Sequence, residues 1–264
     1  MVTAIPSSIS LRGATEPFEL QVNRGLVPFH KIATQSGYNA AAGTSDETVW
    51  DGSSLYTYPA AATVMKVSSS SANDTAAGTG ARTVYVSGLD SAGAEAVEVV
   101  VLNGQTAVST ATVFYRIFSV LVLTAGSGAT AAGTIYIGEG TVTAGVPATI
   151  YGQIVNDNNR TLMAMFTIPA GYTGYVTSAF ASTGGNSGSA DYTNISFASR
   201  TYGGVFAIGG RSTLQQGSVG TTDIVYSNGI PAWTDIEIRA SGSAGTNRVS
   251  ATFTILYIKN DTQS

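Results

Sequence analysis

The sequence predicts an all-β protein built from antiparallel sheets, and three observations predict it. Short runs alternate apolar and polar residues, as in Thr83-Val84-Tyr85-Val86-Ser87, which sends the valines to one face and the hydroxyls to the other. Clusters of Gly, Ser, Thr and Asn separate these runs, and such residues suit tight turns because they tolerate positive φ or bond their own backbone. No ten-residue window carries a 3.6-residue apolar repeat with caps, so no helix is expected.

Charged residues make up 11% of the 264, against about 25% in an ordinary soluble protein, while 44% hydrophobic is close to normal. Disorder needs high net charge and few β-branched or aromatic residues, so this balance argues for a packed chain. A net charge of −4 offers no basic face, and no nucleic-acid partner is expected. The absence of cysteine excludes disulfides, thiolate metal sites and cysteine nucleophiles. The start, MVTAIPSSISLRG, lacks the basic and apolar regions of a signal peptide. The longest apolar runs, such as Val120–Leu123, fall far below the roughly 18 residues of a membrane span. A soluble protein made in the cytoplasm, with no membrane partner, is the expectation.

Residues 1–49 have no sustained periodicity and carry widely spaced Pro6, Pro17 and Pro28; they read as an extended N-terminal arm with one short strand, Phe18–Val22. Residues 50–147 read as an antiparallel β module. Its strands are Thr63–Ser68, Arg82–Leu89, Val97–Leu102, Gln105–Thr110 and Val113–Leu123, with a turn at Asp90–Ala94. Asn103-Gly104 between two of them predicts a two-residue type I′ hairpin, so the run from Arg82 makes a meander. Thr75-Ala-Ala-Gly-Thr79 recurs as Thr130-Ala-Ala-Gly-Thr134, a repetition of turn chemistry too sparse for a solenoid.

The Gly/Thr-rich stretch Gly138–Pro147 places a boundary near residue 147. Residues 148–264 then read as a second β-sandwich, jelly-roll-like module, with Ile150–Val155, Leu162–Ile168, Thr173–Ala181, Asp191–Ala198, Tyr202–Ile208, Asp223–Tyr226, Trp233–Ala240 and Arg248–Ile258 as strands. Trp233–Ile258 looks like a long hairpin, with Asp235, Glu237 and Arg239 together on its wet face.

Chemistry-bearing patterns are few. The one histidine, His30, lies in the arm with no G-x-S-x-G elbow to serve, so a surface or packing role is expected. Asp235 and Glu237 stand two apart, about 6.6 Å along a strand, which overlaps the carboxylate spacing of inverting glycosidases. Following one another on one strand with Arg239 next, they read instead as a solvated ionic ladder. Asn156–Asn159 lacks the spaced acidic pattern of a calcium loop and reads as an exposed turn. Phe114-Tyr115-Arg116-Ile117-Phe118 interleaves an arginine with aromatics, as base stacking would use, but in an acidic chain it reads as a buried strand whose arginine pairs with a carboxylate. No catalytic, cofactor or metal residues are assigned.

The run LYTYPAAATVMKVSSSSANDTAAGTGARTVYVSGLD, with NGQTAVST, GTIYIGEGTVTAGVPA and TLMAMFTIPAGYTGYV, resembles structural-module proteins of tailed bacteriophages, aquatic ones especially. The C-terminal WTDIEIRASGS and VSATFTILYI are similar in style, so the resemblance covers about two-thirds of the chain. It implies a virion component and leaves open which one; the leading reading is a non-enzymatic protein made in the host cytoplasm and seated on the capsid surface. As a decoration or cement protein it would bridge capsomers as a homotrimer, with the major capsid protein and its own copies as partners. The alternative is a tail- or fibre-associated glycan-binding protein using the aromatics Tyr172, Tyr175, Tyr192, Tyr202 and Trp233. A glycan hydrolase or lyase on the same fold is a third reading.

Overall fold

The first described elements are small: strands β1 (Ser10–Leu11) and β2 (Ala14–Thr15) pair as a ribbon, and helix α1 (Phe18–Asn23) follows. This is a computed structural model, and it describes residues 10–11, 14–184, 192–215, 217–222, 229–243 and 247–260. The expected strand Phe18–Val22 is thus a helix. It starts after Pro17 with Glu19 in its first turn and ends on Gly25 at φ +72°, a left-handed C-terminal stop; a turn and a half is too short to show a period. It is the one helix among the described residues.

Then come β3 (His30–Ala42), β4 (Glu47–Thr48), β5 (Thr63–Ser69), β6 (Ala81–Asp90), β7 (Glu95–Val101), β8 (Val108–Ala125), β9 (Ile135–Thr143) and β10 (Val146–Ile154). The chain continues through β11 (Met165–Thr167), β12 (Tyr172–Gly184), β13 (Tyr192–Arg200), β14 (Ala207–Gln215), β15 (Val219–Thr222), β16 (Asp235–Gly242) and β17 (Asn247–Lys259). The protein is all-β, and among the described residues every strand pairing is antiparallel.

One sheet has the order β10-β9-β5-β8-β6-β7 and gathers its inward side chains, among them Met65, Val84, Phe114, Ile137 and Tyr151, into a core of its own. The other two sheets, β11-β16-β13-β14 with β4 beside β16, and β15-β12-β17-β3, face each other over Phe197, Ile236, Ile238, Phe253 and Ile255. Leu89 and Phe118 of the first sheet enter this second core, and Phe118 stacks on Phe166 at 4.5 Å between ring centres. Trp50, Tyr56, Met163 and Met165 form a third cluster.

Several expected features differ. Gly138–Pro147 is a hairpin within one sheet: Ala144 and Gly145 both take positive φ, and Val146 pairs with Thr143, so the limit expected near residue 147 falls just inside β10. The expected arm, residues 1–49, contains β3, which runs along β17 from His30 opposite Ile258 to Ala42 opposite Asn247. That strand is rich in Ala, Gly, Ser and Asn rather than β-branched residues, and so carries a weak strand signal.

Asn103-Gly104 does not close a hairpin. Gly104 alone takes positive φ, its N–H donates to the Asp74 carbonyl at 2.7 Å, and β7 pairs with β6, which lies between β7 and β8. β16 and β17 likewise belong to different sheets, so the long hairpin Trp233–Ile258 is not formed. Their alternating apolar residues face one another across the core instead of lying side by side. Of Leu162–Ile168 only Met165–Thr167 is strand, and Tyr202–Gly204 is a turn, Gly203 taking φ +73°, with β14 beginning at Ala207. Asp223–Tyr226 lies outside the described residues.

The second Thr-Ala-Ala-Gly-Thr segment is bound by buried Asp74, the residue just before the first. Asp74 Oδ1 accepts from Ala81 N at 2.7 Å and Ala132 N at 2.8 Å, while Oδ2 accepts from Gly133 N at 3.1 Å and Ser69 Oγ at 2.5 Å. Asn159 Oδ1 takes Thr130 Oγ1 and Ala131 N from the second segment, so Asn156–Asn159 serves as a latch.

Candidate functional site

β16 is paired on both edges, and both of its faces are covered. Ile236 and Ile238 enter the sandwich core, so Asp235, Glu237 and Arg239 do share a face, but that face is buried rather than wet. Exposure is 2% at Asp235 and 0% at Glu237. A period of two tells which residues go together, and says nothing of whether another layer covers them.

A charge at that depth needs partners, because an uncompensated buried ion costs several kcal/mol, on the order of 3–5. Arg116 on β8 supplies them, as expected of a buried arginine: its Nε and Nη2 donate to Asp235 Oδ1 and Oδ2 at 2.8 and 2.9 Å, and its Nη1 donates to the carbonyls of Pro59 and Tyr115. Arg200, opposite Asp235 on β13, adds two bonds to Oδ2, and Thr167 Oγ1 donates to Oδ1 at 2.6 Å. Burial alone would weaken protonation of Arg116; the hydrogen bonds and charge of Asp235 outweigh it and hold the guanidinium more firmly charged than usual.

Glu237 is bound by Arg239 Nε at Oε1 and by Tyr58 Oη, 2.8 Å away, at Oε2. Burial raises its carboxyl above the ordinary range, and Arg239, Tyr58 and Thr48 offset this only in part. Burial, then the nearby Glu237 and Asp235, push the Tyr58 phenol well up, which keeps it a donor. Every oxygen of the two carboxylates accepts from a donor of this chain, an arrangement that holds strands together.

Aromatic rings cover the guanidiniums. Arg116 lies over Tyr115 and Tyr58, Arg200 is held between Tyr58 at 4.7 Å and Phe206 at 4.6 Å, and Arg239 lies over Phe206 at 4.5 Å. Cation–π contacts of this kind strengthen as water is excluded. Phe206 thereby anchors the loop 201–206, which presents Tyr202, 70% exposed. Tyr202, Trp233 and Tyr115 form a triangle with ring centres 5.4–6.2 Å apart.

The five candidate aromatics therefore do not share one surface. Tyr202 and Trp233 come together; Tyr172 packs edge-on to Tyr257 beneath Lys31, Tyr175 lies opposite Leu256 within the four-stranded sheet, and Tyr192 begins β13 opposite Gln215. Sequence reading missed Tyr58, Arg200 and Phe206. The one available signal was Tyr56 and Tyr58 alternating just before Pro59. His30 shares Nδ1 with the Pro28 carbonyl at 2.8 Å and stands edge-on to Phe18, beside an open groove of about 420 Å³ that Lys31, Glu95 and Tyr257 also line. Among the described residues no group of His, Asp and Glu has metal-holding geometry.

Fold and site define an antiparallel β protein whose strongest polar chemistry is turned inward to join its sheets. No family model and no curated protein matches the chain. Among solved structures it is similar to one of the infectious bursal disease virus Gx strain, at 8% identity and a TM-score of 0.21, covering 89% of this chain and 78% of that one. It is also similar to the infectious bursal disease virus VP2 subviral particle, at 8% identity and a TM-score of 0.22, covering 88% and 77%. A structure of the Gt strain of that virus follows at 11% identity and a TM-score of 0.20, covering 88% and 77%.

Proposed function

We propose that this chain is a non-enzymatic structural component of a bacteriophage virion, and specifically a capsid decoration protein. It sits on the outer capsid surface as a homotrimer and bridges capsomers through the major capsid protein and its own copies. The observation that carries this reading is β14. Every described residue of that strand is exposed except half-buried Leu214, although β13 pairs along it. A strand with both faces in water gains little from burial and is suited to being covered by a neighbouring subunit. The sequence resemblance to tailed-phage structural modules points the same way, and a charge-poor surface limits like-charge repulsion between packed copies.

Stoichiometry tests it: a purified virion should contain the protein in fixed ratio to the major capsid protein, at hundreds of copies. A handful of copies would reject decoration and favour the second reading, a tail- or fibre-associated glycan binder. The specific observation behind that alternative is exposed Tyr202 against Trp233, an aromatic surface on which a sugar ring can stack.

A further inference from the structure

Where the six-stranded sheet meets the four-stranded one, an open groove of about 420 Å³ lies between the end of α1, the start of β3, Glu95 on β7 and Tyr257 on β17. Small-ligand sites favour such junctions and span roughly 300–1,000 Å³. Phe29 lines the groove with φ +66°, a left-handed conformation that a bulky residue adopts only under constraint. The constraint is visible, for the Phe29 carbonyl accepts from Lys259 N at 2.8 Å. Glycine would meet it without strain, and burial offsets little of the strain for phenylalanine, which is 63% exposed. Strain kept without gain inside the fold is characteristic of ligand-holding positions.

The polar lining is arranged around a pair that neutralises itself. Lys31 Nζ pairs with Glu95 Oε2, and Tyr257 Oη donates to Oε1 at 2.6 Å. Side-chain exposure is 48% at Lys31 and 34% at Glu95, so both still reach solvent. An ammonium has three donors and a carboxylate about four acceptor positions, which leaves capacity on both. His30 is set as well. A carbonyl only accepts, so the Nδ1 lying 2.8 Å from the Pro28 oxygen carries the proton, and Nε2 of the neutral ring is an acceptor with no partner among the described residues.

These features select the occupant. An anion that met Lys31 would also meet Glu95, and a cation drawn to Glu95 would meet Lys31. A purely apolar group would strip water from the ion pair and supply no hydrogen bond in exchange. A neutral sugar brings hydroxyls that both donate and accept, and its C–H face suits the electron-rich face of an exposed aromatic ring.

We infer that this groove is a carbohydrate site, taking a neutral saccharide with one pyranose ring stacked on Phe29 and hydroxyls bonded to Lys31, Glu95 and His30. None of these residues belongs to the Tyr202, Trp233 and Tyr115 cluster, and the site is open to a decoration protein and a tail component alike.

The test is an array of neutral and anionic oligosaccharides probed with the purified full chain, followed by calorimetry with the neutral member bound most tightly. Neutral members should bind, and Phe29→Ala should weaken the affinity about 10-fold, the loss of one stacked ring. Phe29→Gly should weaken it as much while unfolding at no lower temperature than the natural protein, because relief of the left-handed strain offsets the lost ring. An array on which no neutral member binds, or on which binding is confined to anionic members, would overturn the inference. So would neutral binding that Phe29→Gly retains, including binding that Tyr202→Ala abolishes instead. A fold weakened in Phe29→Gly would make the ring a structural one, with the same consequence.

Discussion

Arg116 and Asp235 stand 119 residues apart in the chain and meet through two parallel hydrogen bonds, 2.8 and 2.9 Å long. One lies on the six-stranded sheet and the other at the centre of the five-stranded sheet, so this pair ties the first core to the second. The fork of a guanidinium matches the two carboxylate oxygens in a way an ammonium cannot, which fixes the relative position of the strands as well as joining them.

Removing one partner should therefore cost far more than an exposed ion pair is worth. Asp235→Ala leaves Arg116 buried without its carboxylate and deprives Arg200 as well, an expected loss of about 3–5 kcal/mol. Denaturant titration followed by tryptophan fluorescence and by circular dichroism should show one shared transition at lower denaturant. A loss below about 1 kcal/mol, the value of a surface pair, would contradict the structural role assigned here.

Asp74 should behave comparably. Asp74→Ala strands the buried N–H of Ala81, while those of exposed Ala132 and half-buried Gly133 can turn to water, so a loss of about 1–3 kcal/mol is expected. Asp74→Asn keeps one acceptor oxygen and should fall between Ala and the natural residue. Amide hydrogen exchange at Ala132 and Gly133 should quicken in both variants; unchanged exchange there would count against this role of Asp74.

What the sequence disclosed, and what it hid, follows from range. Alternation within β6 and β17 is local physics and was legible, as was the need of Arg116 for a buried carboxylate. Which carboxylate answers it depends on β16 being a central strand, and nothing within Asp235–Arg239 records that. Asn103-Gly104 was misleading because the turn is held by Asp74 and Thr75, outside the span a hairpin rule inspects. The Gly/Thr-rich run before Pro147 carries the composition of a linker and of a hairpin equally. Tyr58 lies about 140 residues before the segment that carries Arg200 and Phe206, and only folding brings their rings and charges together.

Gly93 offers a local test of how Trp233 is seated. Its φ is +73°, and a Cβ there would stand 2.4 Å from the Trp233 ring, whereas Gly171 at φ +76° has nothing within 4 Å of such an atom. Gly171→Ala should cost only the left-handed backbone penalty, about 1–2 kcal/mol. Gly93→Ala adds overpacking of about 1–3 kcal/mol and should shift tryptophan emission as the ring moves. Equal losses with unchanged emission would mean that Trp233 yields freely.

The last prediction concerns pH. Asp51 Oδ2 accepts from Leu162 N at 2.7 Å, while burial pushes its carboxyl up from 3.8 to about 7, the hydrogen bond offsetting this only in part. Its folded pKa thus lies above its unfolded one, so between them the folded state holds more proton than the unfolded state, and stability falls as pH rises. The contribution is complete below about pH 4 and is lost once pH passes about 7. Glu237, also raised by burial, slopes in the same direction, so the comparison must be made against a variant at Asp51 alone. Asp51→Asn can keep an oxygen for the Leu162 N–H and has no proton to lose. Urea titrations at about pH 5 and about pH 8 should show the natural protein losing stability over that range, and Asp51→Asn losing less of it, with the variant the more stable at the higher pH. Identical slopes for the two proteins would place the titration elsewhere.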